Sequence, residues 1–198
     1  MGFGLLIIGY ITVLGVLPES FIYYSWGIYI AVTGGILMLA GFCKLEEYNI
    51  YFKLMKYITI VYILILLGFS PFTLIYNSWE NYQIFLIVSK IIRIFLLFVF
   101  HFFLLSGISA LANQINNIKI EKKAKRNIYI TYIFFGAFIL EFFNITEYVA
   151  PVLFLFSFAY YILMLAMIYS CYMRITYKGH DEAVDEKYNA KIKKNKKG

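Results

Sequence analysis

Residues 84–112 read IFLIVSKIIRIFLLFVFHFFLLSGISALA, an apolar run of about 29 residues that decides the class of this chain. As an α-helix the run would be about 43 Å long, whereas the hydrocarbon core of a bilayer is about 30 Å thick. It is therefore long enough to cross a membrane with its first two turns among the headgroups. The whole chain has the same character, since 62% of its 198 residues are hydrophobic, 15% are charged, and the mean hydropathy is +0.75. We expect an integral membrane protein.

Five further apolar runs accompany the first, and they predict helices at 2–17, 21–43, 57–76, 128–143 and 149–173. The expected fold is all-α: a polytopic membrane protein of about six transmembrane helices, arranged as three hairpins in a domain at 1–173. The polar remainder, 174–198, is expected to be a basic cytoplasmic tail, largely disordered. The run at 2–17 is short for a span and competes with a cleaved signal peptide. No Lys or Arg precedes it and no small-residue cleavage site follows it, so we predict a mature helix.

The basic residues predict the orientation of the helices. The segments 44–56, 114–127 and 174–198 hold sixteen of the eighteen Lys and Arg residues, whereas the turns around Glu19, Glu80 and Glu147 hold none. Because cytoplasmic loops are enriched in Lys and Arg, both termini should be cytoplasmic. Abundant Ile, Lys, Asn, Phe and Tyr are typical of an AT-rich coding sequence. We therefore expect a multi-pass protein of a bacterial cell membrane.

The net charge of +7 raises the question of an anionic partner. Since the cations lie beside membrane segments, the lipid bilayer is the expected partner and nucleic acid is not. Another membrane protein is a second candidate partner, and the oligomeric state is left open. Neither a CxxC pair nor a cysteine with histidine at ligand spacing is present, so Cys43 and Cys171 are predicted to be small buried hydrophobes. No catalytic residue, metal site or cofactor is predicted.

Four ionisable residues lie within or close to the predicted spans: Lys90, Arg93, His101 and Glu141. Charges at bilayer depth are costly and usually face a bundle interior or water, so these four form the candidate polar site. At about 100° per residue, the first three lie within about 80° of arc on one helix face. His101 and Glu141 would lie at similar depths, about 18 and 21 Å from the inner boundary.

These residues permit two interpretations. In the first, His101 and Glu141 form a buried pair whose proton occupancy responds to pH or potential. In the second, Lys90 and Arg93 extend to the outer headgroups and Glu141 helps the helices to pack. The pattern favours the second.

Small residues in two of the runs predict close helix packing. Gly27, Ala31 and Gly35 recur every fourth position in the second run, and Gly107 lies near the end of the fourth. Small side chains let helix backbones approach closely in lipid. We expect contacts within the chain rather than a homodimer face.

Three classes of function remain open. A non-catalytic membrane subunit, or an assembly or interaction protein, fits tight turns and the lack of a sizeable soluble domain. A small transporter or channel would use the His101/Glu141 region. An enzyme acting on lipid or peptide needs clustered acids, histidines or a nucleophile, and the connecting segments supply only Glu46, Glu47 and Glu121. The sequence favours the first class.

Overall fold

The computed structural model describes residues 2–14, 25–75, 82–139 and 146–176, and these residues are helical throughout except for two short connections. The helices are α1 (Gly2–Leu14), α2 (Ser25–Leu45), α3 (Ile50–Ile75), α4 (Tyr82–Gln114), α5 (Ile118–Ile139) and α6 (Thr146–Cys171), which continues as a π-helical turn, Tyr172–Thr176. No strand occurs in these four ranges. The prediction of an all-α protein is confirmed.

Four of the helices contain stretches that are long and apolar enough to cross a membrane. These stretches are Gly27–Leu45, Ile50–Gly68, Ile94–Gln114 and Phe154–Ile175. The shorter α1 is apolar along Gly2–Val13. A helical protein with four candidate membrane spans is therefore what the described residues establish.

The helices pack in chain order and close on themselves. Each helix contacts the next one along the chain, and α6 also packs against α1. One continuous cluster of buried Phe, Leu, Ile, Met and Tyr side chains fills the interior. In lipid such a bundle is held by close van der Waals packing rather than by exclusion of water. The interior of this ring is where the polar groups described below are found.

The tightest helix contact joins α1 to α2. A Cβ atom on Gly9 would lie 2.6 Å from the carbonyl oxygen of Gly34, and a Cβ atom on Gly34 would lie 2.9 Å from the carbonyl oxygen of Gly9. Gly2, at the start of α1, approaches Gly41, near the end of α2, in the same way. A Cβ atom on Gly2 would lie 2.9 Å from the Gly41 carbonyl oxygen. Backbone therefore lies directly on backbone, which only glycine permits at these positions.

The four small residues singled out by their spacing occupy other contacts. A Cβ on Gly35 would lie 2.8 Å from the Ile63 side chain of α3, and one on Gly107 would lie 3.0 Å from the Phe52 ring. Gly27 and Ala31 are buried. A role for these residues in helix packing stays a prediction. The contacts with Ile63 and Phe52 identify the side chains against which Gly35 and Gly107 would pack.

The predicted helix starts at 57 and 128 are wrong, since the mixed-charge segment 44–56 and the basic segment 114–127 are largely helical. The connections are only 46–49 and 115–117, because α3 begins at Ile50 and α5 at Ile118. In α3, Phe52 and Met55 are fully buried on one side while Lys53 points outward, so the first turns belong to the packed bundle. Lysines spaced among apolar residues lower the hydropathy without breaking the helix.

The basic segment that opens α5 is amphipathic. Its inner side buries Ile120, Ala124 and Asn127, while the lysines lie on the outer side. Asn117 caps the helix, since the Ile120 N–H donates to its Oδ1 at 3.4 Å. Asn116 closes the preceding turn with a φ of 57°, a left-handed conformation that asparagine tolerates.

The two cysteines differ from each other in burial. Both thiols are free, and Cys171 is buried as predicted. Cys43 is exposed, so the prediction for it is wrong. Its neighbours Phe42 and Leu45 occupy the inner face of α2 and leave Cys43 on the outer face.

Candidate polar site in the bundle interior

His101 lies on the inner face of α4 and is fully buried, with 0% of its surface exposed. Its ring is surrounded by aromatic rings from three other helices: Tyr10 of α1, Phe135 of α5, and Tyr160 and Tyr161 of α6. The centroid distances are 5.3 Å to Tyr160 and between 5.9 and 6.0 Å to the other three. Edge-to-face and tilted contacts of this kind fix the orientation of the imidazole.

A hydrogen bond of 2.8 Å joins His101 Nε2 to the Tyr10 hydroxyl. A neutral imidazole has one donor and one acceptor nitrogen, so either group can be the donor. Nδ1 itself is buried and makes no hydrogen bond of acceptable geometry with the described residues.

A second set of hydrogen bonds anchors Tyr160 beside His101. The Thr131 hydroxyl donates to the Asn127 carbonyl at 2.9 Å and lies 2.9 Å from the Tyr160 hydroxyl. Because Thr131 has a single hydroxyl proton, Tyr160 must donate to Thr131 Oγ1. The Tyr160 ring also stacks on Phe134, with centroids 3.9 Å apart and an interplanar angle of 10°. Tyr160 is therefore fixed by both its ring and its hydroxyl.

A cavity of about 30 Å³ adjoins His101. Its lining is mostly apolar and includes the following residues with polar atoms: Tyr10, Thr59, Tyr62, His101 and Tyr161. A cavity of this size has room for one or two water molecules. Pockets for small-molecule ligands measure roughly 300–1,000 Å³, so this cavity is large enough for water but too small for a metabolite.

The structure places the four ionisable site residues differently. His101 lies in the bundle interior, and its hydrogen-bond partner among the described residues is Tyr10. Glu141 lies outside the described residues. Lys90 and Arg93 lie on α4 before the candidate span that begins at Ile94, and their side chains are outside the described part of the chain. A His101/Glu141 pair stays a prediction.

Sequence reasoning missed the tyrosines of this site. Tyr10, Tyr160 and Tyr161 lie in the middle of apolar helices, where a buried hydroxyl needs a hydrogen-bond partner. This need is the feature of the sequence that could have identified them. The chain has nineteen tyrosines, however, and hydropathy does not tell which of them face inward. Helix α6 is apolar on every side, so its inner face is set only by its neighbours.

The remaining titratable side chains do not assemble a metal site within the described residues, where no three His, Cys, Asp or Glu side chains come together. Comparison of the chain with protein-family models, with curated proteins and with solved structures finds no match. Its function is therefore inferred from its own residues.

Proposed function

We propose that this chain is a non-catalytic membrane protein that acts by associating with another membrane protein, as a subunit or an assembly factor. The observation behind this proposal is the first half of α6, at 152–159. Val152, Phe154, Leu155 and Phe158 are each more than 60% exposed there. Phe156 and Ala159 are exposed as well.

These exposed positions cover more than half of the helix circumference. At about 100° per residue, they span an arc of about 200°, from 154 through 155 to 156. A helix that merely faces lipid exposes a narrower stripe, as α3 does at Tyr57, Val61, Leu64 and Leu67. At 152–159 the bundle therefore covers less than half of the surface of α6.

The composition of this segment indicates what would cover it. Residues 152–159 read VLFLFSFA and contain no charged side chain. Lipid tails are as apolar as phenylalanine, so exposure to lipid costs little, but it forgoes the close packing that drives helix association. An apolar helix of another membrane protein would restore that packing, whereas a polar surface would not.

The topology belongs to the same proposal. We place the chain in a bacterial cell membrane with six spans and both termini in the cytoplasm. The described cations support this orientation, because Lys44, Lys53, Lys123 and Arg174 lie where α2 and α6 end and α3 and α5 begin. One end of the bundle is therefore basic, which is typical of the cytoplasmic side.

Site-specific photocrosslinking in the native membrane tests the association. With a benzophenone amino acid at Phe154 or Phe158, we expect one defined protein adduct, because the probe would lie against the partner helix. The matched control is the same probe at Leu64, which is 62% exposed on α3 and should label lipid.

The crosslinked partner should also co-purify at stoichiometric yield and be lost from a Phe154→Ala/Phe158→Ala variant that still purifies as a folded protein. An adduct to a second copy of this chain would replace the proposed partner with a homo-oligomer. Equal labelling patterns at Leu64 and Phe158 would contradict the proposal.

The cavity beside His101 favours a second candidate function, a small channel or transporter that moves protons. His101 Nδ1, which has no hydrogen-bond partner among the described residues, and the Tyr10 hydroxyl on Nε2 could be the two ends of a short proton path. A water in the cavity would connect them to the Tyr161 hydroxyl. Participation of Glu141 is part of this candidate.

Proton flux into liposomes separates the two candidates. If the chain conducts protons, His101→Phe and Tyr10→Phe should each reduce flux to the leak of empty liposomes, and Glu141→Gln should reduce it if that acid takes part. A pH-sensitive dye trapped inside the liposomes follows the flux. Flux no greater than that of empty liposomes with the unaltered protein would exclude the second candidate and leave the first.

A further inference from the structure

A basic groove of about 400 Å³ lies between the first turns of α5 and the end of α6. Its polar lining consists of Lys119, Lys122, Lys123, Arg126, Ser170 and Arg174. The four cations of α5 are spaced i, i+3, i+4 and i+7, so they share one face of the helix. Arg174, on the π-helical turn that follows α6, adds a fifth from the opposite wall.

Within the described part of the chain, no carboxylate lines this groove. Glu121, the acidic residue of the same helical turns, lies 2.6 Å from Lys125, which is outside the groove. Among the described residues, none of the five cations of the groove forms an ion pair. Like charges held this close repel one another, so an anion in the groove would be stabilised by all five.

The donors of the groove fit a phosphate group. Arg126 and Arg174 can each offer two parallel N–H groups to phosphate oxygens, and the three lysines add point charges. Ser170 does not contribute a proton, because its hydroxyl donates to the Ala166 carbonyl at 2.7 Å. Recognition would therefore depend on charge and on the two guanidinium groups.

The surface next to the groove indicates that this phosphate belongs to a lipid. Along α5, the face that bears Lys122 and Arg126 continues as Tyr129 and Ile133, which are 70% and 66% exposed. Ile133 lies about 10 Å beyond Arg126 along the helix axis. A charged end followed directly by an exposed apolar face matches the shape of a phospholipid.

The neighbouring wall of α6 continues in the same direction, because α6 runs antiparallel to α5. Below Ser170, the groove side of α6 presents Ala166, which is exposed, and Leu163, which is half-buried. These apolar residues continue the same face of α6 from the cations toward the middle of the helix.

We propose that the basic groove binds the phosphate of an acidic phospholipid, with the acyl chains along the exposed apolar faces of α5 and α6. Basic sites between transmembrane helices are suited to anionic headgroups. The site does not depend on the association proposed for the first half of α6.

Lipid titration of the full-length protein in mild detergent tests this site. Native mass spectrometry would count bound phosphatidylglycerol, and phosphatidylcholine with the same acyl chains provides the zwitterionic comparison. Phosphatidylglycerol should bind at least about tenfold more tightly, since only it brings net negative charge. Inorganic phosphate, added as a competitor, should not displace it because it lacks the acyl chains.

Two triple variants locate the binding. Lys119→Gln/Lys122→Gln/Lys123→Gln removes three exposed charges of the groove, and Lys44→Gln/Lys53→Gln/Lys125→Gln removes three exposed charges elsewhere at the same end. The groove variant should bind phosphatidylglycerol at least about tenfold more weakly, and the control variant should change little. Equal losses in both variants, equal binding of the two lipids, or displacement by inorganic phosphate would each overturn the proposal.

Discussion

Gly9→Leu is expected to lower the free energy of unfolding by about 3 kcal/mol or more and to leave little folded protein in detergent. A Cβ atom at this position would lie 2.6 Å from the Gly34 carbonyl oxygen and 2.8 Å from the Met38 backbone nitrogen. Backbone cannot swing aside as a side chain can, so α1 and α2 would have to separate. The separation would also move Tyr10, the next residue, away from His101.

Two other glycines provide the comparison for this prediction. Gly136→Leu introduces the same side chain into α5, where no atom of the described residues outside this helix lies within 4 Å of the new Cβ atom, so it should not destabilise the protein. Gly35→Leu should fall between the two, because its Cβ meets the Ile63 side chain and not backbone. Each variant is heated in detergent, and gel filtration measures the fraction of protein that stays monodisperse. This fraction ranks the three variants by stability. A Gly9→Leu protein as stable as Gly136→Leu would show that α1 does not pack on α2 as described.

Phe134→Ala is expected to lower the free energy of unfolding by about 3 kcal/mol, the low end for such truncations. Phe134 is fully buried, stacks on Tyr160 at 3.9 Å and meets Phe135 edge to face at 5.0 Å. We expect the smaller value because the unfolded chain in detergent or lipid is also in apolar surroundings. The lost free energy of unfolding then comes only from the cavity that the missing ring leaves. Loss of the stacking partner should also loosen Tyr160 beside His101.

Phe158→Ala is the matched control, since Phe158 is 61% exposed on α6. Reversible unfolding in mixed detergents measures both variants, and only Phe134→Ala should shift the transition. A shift of equal size for Phe158→Ala would contradict the assignment of inner and outer faces on α5 and α6.

Hydropathy predicted the α4 helix closely, from 84–112 against the observed Tyr82–Gln114, because Lys90 and Arg93 are the only Lys, Arg, Asp or Glu residues in it. It failed at the starts of α3 and α5, where lysines alternate with buried residues. The predicted helices leave out Phe52 and Ile120, which fall in the mixed-charge and basic segments, although each is buried against the bundle. Hydropathy averaged over consecutive residues does not show which of them face inward, because it combines the two sides of a helix.

The site was predicted in part for a related reason. His101 stands out as a rare ionisable residue in an apolar run, and the cost of a charge in lipid is enough to direct it inward. Its contact with Tyr10 joins residues 91 positions apart, and nothing in either local sequence encodes that pairing.

The helical class, the membrane character and the basic end of this protein can be predicted from the amino-acid sequence alone, because each follows from the composition of short segments and the thickness of a bilayer. Which helix faces meet is visible only in the folded structure. In a helix that is apolar on every side, such as α6, hydrophobicity does not determine which face is buried. Shape decides instead, through Gly9 on Gly34 and through the aromatic rings around His101, because close packing is the main force that holds helices together in lipid.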